Sequence, residues 1–427
     1  MSLRNRELLN LVGVGILTAA GFTAVFVARQ ASDDFSTASL SYAAFFGALF
    51  LAAHLVLRVR LPHADPYLLP LVGILTAVGL TLIYRIDPDL AFRQGLWVVV
   101  GVAVFALAVV FVPDYRRLDS LKYTLGIVAV VLLVLPALPG LGATINGASL
   151  WVAVGPIAFQ PGEFAKVALV IFLAGYLRDN REMLSRGVGR AGLPSPKHFG
   201  PLFVIWGAAM LVLFQTNDLG GGLLYFSVFL AMLYVATARW AYVGAGLGLF
   251  VAGSYGLYHV KPHIAERVSI WIDPWKDAFD DGYQLVQSIY AIAGGGLFGA
   301  GLGQGVLLKP EGGTYIPFLE TDFIYAAISQ ELGLAGAAAI VLLYLIFAYR
   351  GLRIAMLADD GFSKLLAAGL TATLAIQAFI IIGGVTKLIP LTGITLPFVS
   401  YGGSSVVANF LLVGLLLAVS NHVNEER

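Results

Sequence analysis

Ionisable side chains set in long apolar runs are the residues of this chain best able to do chemistry. Each is costly at membrane depth and is seldom found there without a partner or a task. Asp322, after Glu320 and Thr321, opens the run IYAAISQELGLAG. A carboxylate in that place can cap the following helix and meet its positive end. It can also serve as a general base that takes a proton from a hydroxyl, provided one carboxylate oxygen stays free. Glu163 and Lys166 sit at the start of another apolar run, at a spacing that lets them neutralise each other. Asp218, in QTNDLGGG, stands where it would cap a third helix. Arg93 lies near the end of a fourth, able to hold a phosphate or to reach out to the interface. Gln330 and Glu331 fall about two turns into the run that Asp322 opens, so they must face protein or water.

The elements that carry these groups are membrane helices. The 427 residues are 59% hydrophobic and 12% charged, with a mean hydropathy of +0.86. Soluble domains carry about 25% charged residues, and a chain so poor in charge cannot clothe itself in water. Apolar runs near the roughly 20 residues that span a bilayer recur at 8–29, 40–59, 67–84, 95–112, 122–139, 163–177, 200–215, 219–237, 241–260, 322–348, 364–388 and 402–420. The expected fold is an all-α polytopic membrane protein of about 12 helices. The first run, from Leu8 to Val27, is too long for a signal-peptide core and reads as a retained helix. A net charge of +1 gives no field that would recruit nucleic acid. With no cysteine, disulfides, thiolate catalysis and Cys-ligated metal sites are excluded.

Lys and Arg resist translocation, so their loop distribution sets the orientation. With the N-terminus inside, 17 of the 26 Lys and Arg fall in cytoplasmic segments, and both termini are expected in the cytoplasm. The large segment 259–321 then lies outside, with the loops at 139–162 and 387–401. An enzyme there has no ATP and needs a substrate that arrives activated, as lipid-linked pyrophosphate sugars do. Within the large loop, Trp271 and Trp275 suit the headgroup level. From Gly282 to Ala293 the apolar residues Leu285, Val286, Ile289, Tyr290 and Ile292 fall mostly on one face, opposite Gln284, Gln287 and Ser288. That pattern fits a helix in the interface plane or one buried in a compact loop. A glycine-dense run from Gly294 to Gly305 follows, suited to tight turning or to a backbone lining a pyrophosphate or sugar. Its GxGxG lacks the Lys-Ser/Thr of a P-loop. PLTGITLPFVSYGGSS, from Pro390 to Ser405, has too many turn formers for a spanning helix and suggests a re-entrant segment shielded from lipid.

Taken together, these stretches resemble the SEDS family of cell-wall polymerases (RodA, FtsW and SpoVE). The matches are FRQGLW (Phe92–Trp97), NGASLWVAVGPIAFQPGEFAK (Asn146–Lys166), NDLGGG (Asn217–Gly222), DP and GYQLVQSIYAIAGGGLFGAGLGQG within Asp273–Gly305, TDFIYAAISQELGLAG (Thr321–Gly336) and LTGITLPFVSYGGSS (Leu391–Ser405). They occur in the family's order. The resemblance implies a ten-helix core at 67–420, two extra N-terminal helices within 1–66, and a tail at 421–427. It implies an inverting glycosyltransferase that polymerises lipid II, joining an undecaprenyl-pyrophosphate-linked glycan to an incoming acceptor through a β-1,4 bond. Asp322 corresponds to the family's catalytic aspartate. The matched motifs place Arg93, Asn146, Trp151, Gln160, Glu163, Lys166, Asp218, Gln287, Glu320 and Ser404 around the substrate. The resemblance also implies a class B penicillin-binding protein as partner and a divalent cation, Mg or Mn, although no metal-ligand spacing is evident. Three positions depart from the family's pattern. Ser149 and Leu150 precede Trp151 where a basic residue is usual, Pro317-Phe318 replaces LPE, and Gln330-Glu331 replaces an acidic pair. Without that basic residue, Arg93, Lys166 or Arg267 is left to hold the leaving phosphate. A lipid II flippase or a non-catalytic scaffold of wall synthesis are the competing classes.

Overall fold

The computed structural model describes residues 2–30, 37–112, 114–145, 148–155, 157–186, 200–310 and 312–426. Helices fall on all twelve expected spans: α1 (Leu3–Gln30), α2 (Thr37–Arg60), α3 (Leu68–Ile86), α4 (Pro88–Phe111), α6 (Lys122–Val134), α7 (Pro161–Asp179), α9 (Gly200–Gln215), α10 (Leu219–Thr237), α11 (Trp240–Val260), α14 (Ile324–Leu357), α15 (Gly361–Val385) and α16 (Gly403–Glu425). Four shorter helices join them: α5 (Arg117–Ser120), α8 (Arg181–Arg186), α12 (Pro262–Ile272) and α13 (Tyr283–Gly295). Among the described residues, nine helices are long and apolar enough by themselves to cross a bilayer. Of the other three, α6 and α9 are short. α7 has the length but carries Glu163, Lys166, Arg178 and Asp179.

Of these four, only Lys166 lies inside the buried stretch of α7; Glu163 stands in the first turn and Arg178 and Asp179 in the last. Every residue from Ala165 to Leu177 is buried, so α7 is surrounded by protein rather than lipid. α16 is likewise central, with 94% of its most apolar window buried against 6% for α11, which lies at the periphery. The core continues through α3 and α15, which are buried over most of their length.

Cross-links fix the two ends of the bundle. Arg4 of α1 donates to the Ala64 carbonyl, the Asn421 side chain accepts from His63 N at 2.8 Å, and Arg350 of α14 pairs with Asp65. Both chain ends therefore sit on one face. On the opposite face, Arg267 of α12 donates to the Leu391 carbonyl at 2.9 Å, and Tyr401 N donates to the Glu320 carbonyl at 2.8 Å. Segment 386–402 forms no helix, as its turn formers predict, and several of its polar groups find partners, although the buried Thr392 hydroxyl has none. Gln377 donates to the Thr395 carbonyl at 2.9 Å, Leu396 N donates to Ser400 Oγ at 2.9 Å, and Tyr344 donates to the Pro397 carbonyl at 2.5 Å.

Three features depart from the sequence-based expectations. The stretch around Trp151 forms a small antiparallel sheet, β1 (Gly142–Ile145), β2 (Ala148–Val154) and β3 (Ile157–Phe159), in the order β1-β2-β3. Helix α13 buries Leu285, Val286, Ser288 and Ala291 and leaves Tyr290 exposed, so the face expected to be polar is partly the buried one. Ser288 is satisfied there by donating to the Val385 carbonyl at 3.0 Å. Helix α14 is broken at Gly333, whose φ of +66 and ψ of −169 favour glycine. The glycine run closes that break. Ala300 N and Gly301 N donate to the Gln330 and Glu331 carbonyls, while Leu334 N and Ala335 N donate to the Gly296 and Leu297 carbonyls, at 2.9–3.0 Å. The run therefore serves tight packing against α14.

Candidate active site

The head of α14 is set by three restraints. Asp322 N donates to the Phe318 carbonyl at 3.0 Å, Ser400 Oγ donates to the Thr321 carbonyl at 2.5 Å, and Tyr401 N holds the Glu320 carbonyl. The N-cap position of α14 is Phe323, with no side-chain cap. Asp322 therefore does not cap the helix, and its carboxylate is left for other work. The backbone of the re-entrant segment runs beside it: a Cβ at Gly393, where φ is +73, would lie 3.8 Å from Asp322 Oδ2. Burial pushes this carboxyl up to about 6, against the pull of the Arg267 guanidinium and a hydrogen bond from Thr321.

Asp218 does cap its helix, its Oδ1 accepting from Gly221 N at 2.7 Å. Burial pushes it, too, up to about 6, with the Gly221 bond and Arg267 opposing and Glu163 adding to the rise. Arg267 thus acts on both carboxylates and is the cation that α12 brings to the site. Asp218 also lines a small cleft with Gln160, Gly162, Leu150 and Thr216. The cleft opens between the sheet, α7 and the start of α10.

The remaining sequence-derived residues divide by location. Lys166 is buried and donates to Glu163 at 2.6 Å, Gln377 at 3.0 Å and Asn409 at 2.8 Å, so all three of its protons are in use within the bundle. Ser404 is buried and accepts from Gln160 N at 2.9 Å, joining the start of α16 to the start of α7. Arg93 is exposed on the second turn of α4. Glu320 and Gln287 are half-buried, on the strap before α14 and on α13. Trp151 is half-buried on β2, opposite Ala143. Asn146 lies outside the described residues.

Two participants carried weak sequence signals. Gln94 was visible only as a lone amide in FRQGLW. It is buried, donates to the Ser400 carbonyl and accepts from Gly402 N, both at 3.1 Å, and so clips α4 to the re-entrant segment. Arg85, near the end of α3, lies 3.2 Å from the fully buried Glu331.

The sequence profile of the Cell cycle protein family (FtsW, RodA and SpoVE) matches residues 63–425. The chain belongs to this family. The peptidoglycan glycosyltransferase RodA of Mycobacterium tuberculosis is 43% identical, over 98% of this chain and 90% of that protein. Stage V sporulation protein E of Bacillus subtilis is 38% identical, over 79% of this chain and 89% of that protein. A solved peptidoglycan synthase complex, described as coordinating polymerization and crosslinking, contains a chain that superposes with a TM-score of 0.68 at 27% identity, covering 84% of this chain and 97% of that one. The Thermus thermophilus rod shape determining protein RodA gives a TM-score of 0.60 at 24% identity over 84% of this chain and 96% of that one, a likeness of fold. Helices α1 and α2 precede the family profile, whereas the mycobacterial alignment takes them in.

The donor set does not fit the divalent cation that the family resemblance implies. Among the described residues, no three His, Asp or Glu side chains converge. The site's acids do not form a protein cage for such an ion, and no step is derived through one.

Proposed function

We propose that this protein is a peptidoglycan glycosyltransferase that polymerises lipid II into β-1,4-linked strands at the outer face of the bacterial cytoplasmic membrane. Asp322 is its general base. The observation that carries this reading is an uncapped carboxylate at the helix head, raised to about 6 and set beside Arg267. A base with that affinity is ionised at neutral pH yet binds a proton more readily than an ordinary aspartate. The acceptor hydroxyl gives up its proton to Asp322 as its oxygen attacks the anomeric carbon of the donor. The pyrophosphate lipid departs with the bonding pair. One displacement on an α-linked donor inverts the centre and yields the β product. Arg267 steadies the growing negative charge, the role that the usual basic residue beside Trp151 would otherwise fill.

The topology agrees with this assignment. The face bearing both chain ends is cytoplasmic, and the face bearing Asp322 is external. The break in α14 could suggest a transporter, whose unwound helices coordinate ions through free carbonyls. Here the Gln330 and Glu331 carbonyls are taken by the glycine run. A crosslinking transpeptidase, the class B penicillin-binding protein of the wall-synthesis machinery, is the expected partner. The deciding test is polymerisation of fluorescent lipid II by purified protein, with and without that partner. Wild-type protein should build strands and Asp322→Asn should not. Full activity in the variant would remove Asp322 as the base.

A further inference from the structure

Helices α1 and α2 precede the family profile and carry no residue of the site. We propose that this hairpin is a positioning brace for Asp322, acting through the glycine loop that closes the break in α14. The proposal rests on the reading of Asp322 as the base.

The mechanical problem lies in α14. Its outer piece runs only from Ile324 to the break at Gly333, shorter than the roughly 12–15 residues at which an isolated helix becomes even marginally stable. What holds its inner end is the glycine loop, through the four backbone bonds described above and through Glu331. The Glu331 carboxylate accepts from Gly303 N at 2.9 Å and faces Arg85 at 3.2 Å, while Arg85 also donates to the Gly305 carbonyl at 3.3 Å. A loop so rich in glycine has few side chains with which to pack and needs a surface behind it.

Helix α1 supplies that surface. A Cβ at Gly303, where φ is +82, would run into the Ala28 Cβ and stand 3.6 Å from the Val25 Cα. The loop is thus pressed flat on α1, with no space for a side chain between them. The hairpin is itself fixed. Glu7 accepts from Arg4 at 2.6 Å and faces His54 Nδ1 at 2.6 Å, all three buried. Arg4 reaches the Ala64 carbonyl, next to the Asp65 that Arg350 of α14 grips. The hairpin therefore bears on α14 near both ends. From Glu331 to Ile324 is a largely buried helical rod of about 10 Å at 1.5 Å per residue, and Asp322 stands two residues beyond its end. A shift of the loop is carried along it to the carboxylate.

The test uses the full chain, with its partner, in detergent or liposomes. Ala28→Leu should push on Gly303 and lower kcat for lipid II polymerisation by about 10- to 100-fold, with KM within about twofold, since small displacements of a reacting group cost that much. The acid limb of the kcat profile should also move, as Asp322 shifts relative to Arg267. Amide exchange should accelerate at residues 300–305 and 334–335. A hairpin that only adds stability would lower the thermal midpoint yet leave kcat per folded molecule and the pH profile unchanged. Glu331→Gln loosens the loop without touching α1, and should accelerate the same amides if the leucine variant does not fold. Folded Ala28→Leu with wild-type kcat and wild-type exchange would overturn the brace. If wild-type protein made no glycan while Ala28→Leu still released the loop amides, the brace would stand and the reading of Asp322 would fall.

Discussion

Replacing Asp322 by asparagine should destroy activity and, at neutral pH, stabilise the protein. The two effects have one cause. Burial raises the carboxyl from 3.8 to about 6, so the folded state binds the proton more tightly than the unfolded chain does. The stabilising contribution of such a group is complete below about 4 and is lost as pH rises through 6. At 1.36 kcal/mol per pH unit, the ionised carboxylate costs the fold at most about 3 kcal/mol, and about 1–2 kcal/mol after allowing for solvent at a half-buried site. Asparagine has nearly the same shape and carries no charge, so it escapes that cost. Thermal unfolding in detergent should place Asp322→Asn above wild type at pH 8 and level with it near pH 4. Polymerisation should fall by about 10²- to 10⁴-fold, the usual worth of a general base. A variant that is inactive but less stable than wild type at pH 8 would refute the electrostatic account. It would mean that the carboxylate holds the structure together and is not held there against its own cost.

Other expectations follow from the same geometry. Arg267→Met removes the charge that lowers both Asp322 and Asp218, so the acid limb of the rate profile should move to higher pH and the maximal rate should drop. An unmoved limb would count against Arg267 as their neighbour. Gln94→Leu strips two hydrogen bonds from the re-entrant segment and leaves the Ser400 carbonyl and Gly402 N–H unpaired, at about 1–3 kcal/mol each. A lower thermal midpoint is expected. Glu7→Ala leaves Arg4 and His54 buried without their shared carboxylate and should cost about 3–5 kcal/mol, read as a fall in the midpoint and in folded yield. Because the chain has no cysteine, single replacements report topology cleanly. In whole cells an impermeant maleimide should label Phe279→Cys on the external loop, and should label Asp359→Cys on the opposite face only after lysis.

Much of this architecture was legible from the chain alone. Apolar length located all twelve helices because a bilayer demands roughly the same run from each. The ion pair of Glu163 and Lys166, and the capping by Asp218, were readable because both depend on spacing within one element. Features that depend on tertiary contacts were not. Nothing local reveals that Lys166 would also collect Gln377 and Asn409, more than 200 positions away. Asp322 looked equally suited to cap α14, and only the placement of Phe323 at the cap freed it. The polar face of α13 misled because Ser288 finds the Val385 carbonyl on another helix. The break at Gly333 left no mark in the hydrophobic pattern, since the glycines that fill it lie roughly 30 positions upstream.

The position of α16 has a consequence for how the molecule is made. It is the most enclosed of the spans, yet it leaves the ribosome after the other eleven. Until it arrives, Lys166 lacks Asn409 and the seat against Phe105 and Trp97 is vacant. The helices that precede it cannot complete their packing until α16 threads into the middle. Insertion of the spans and closure of their core are therefore successive steps for this chain.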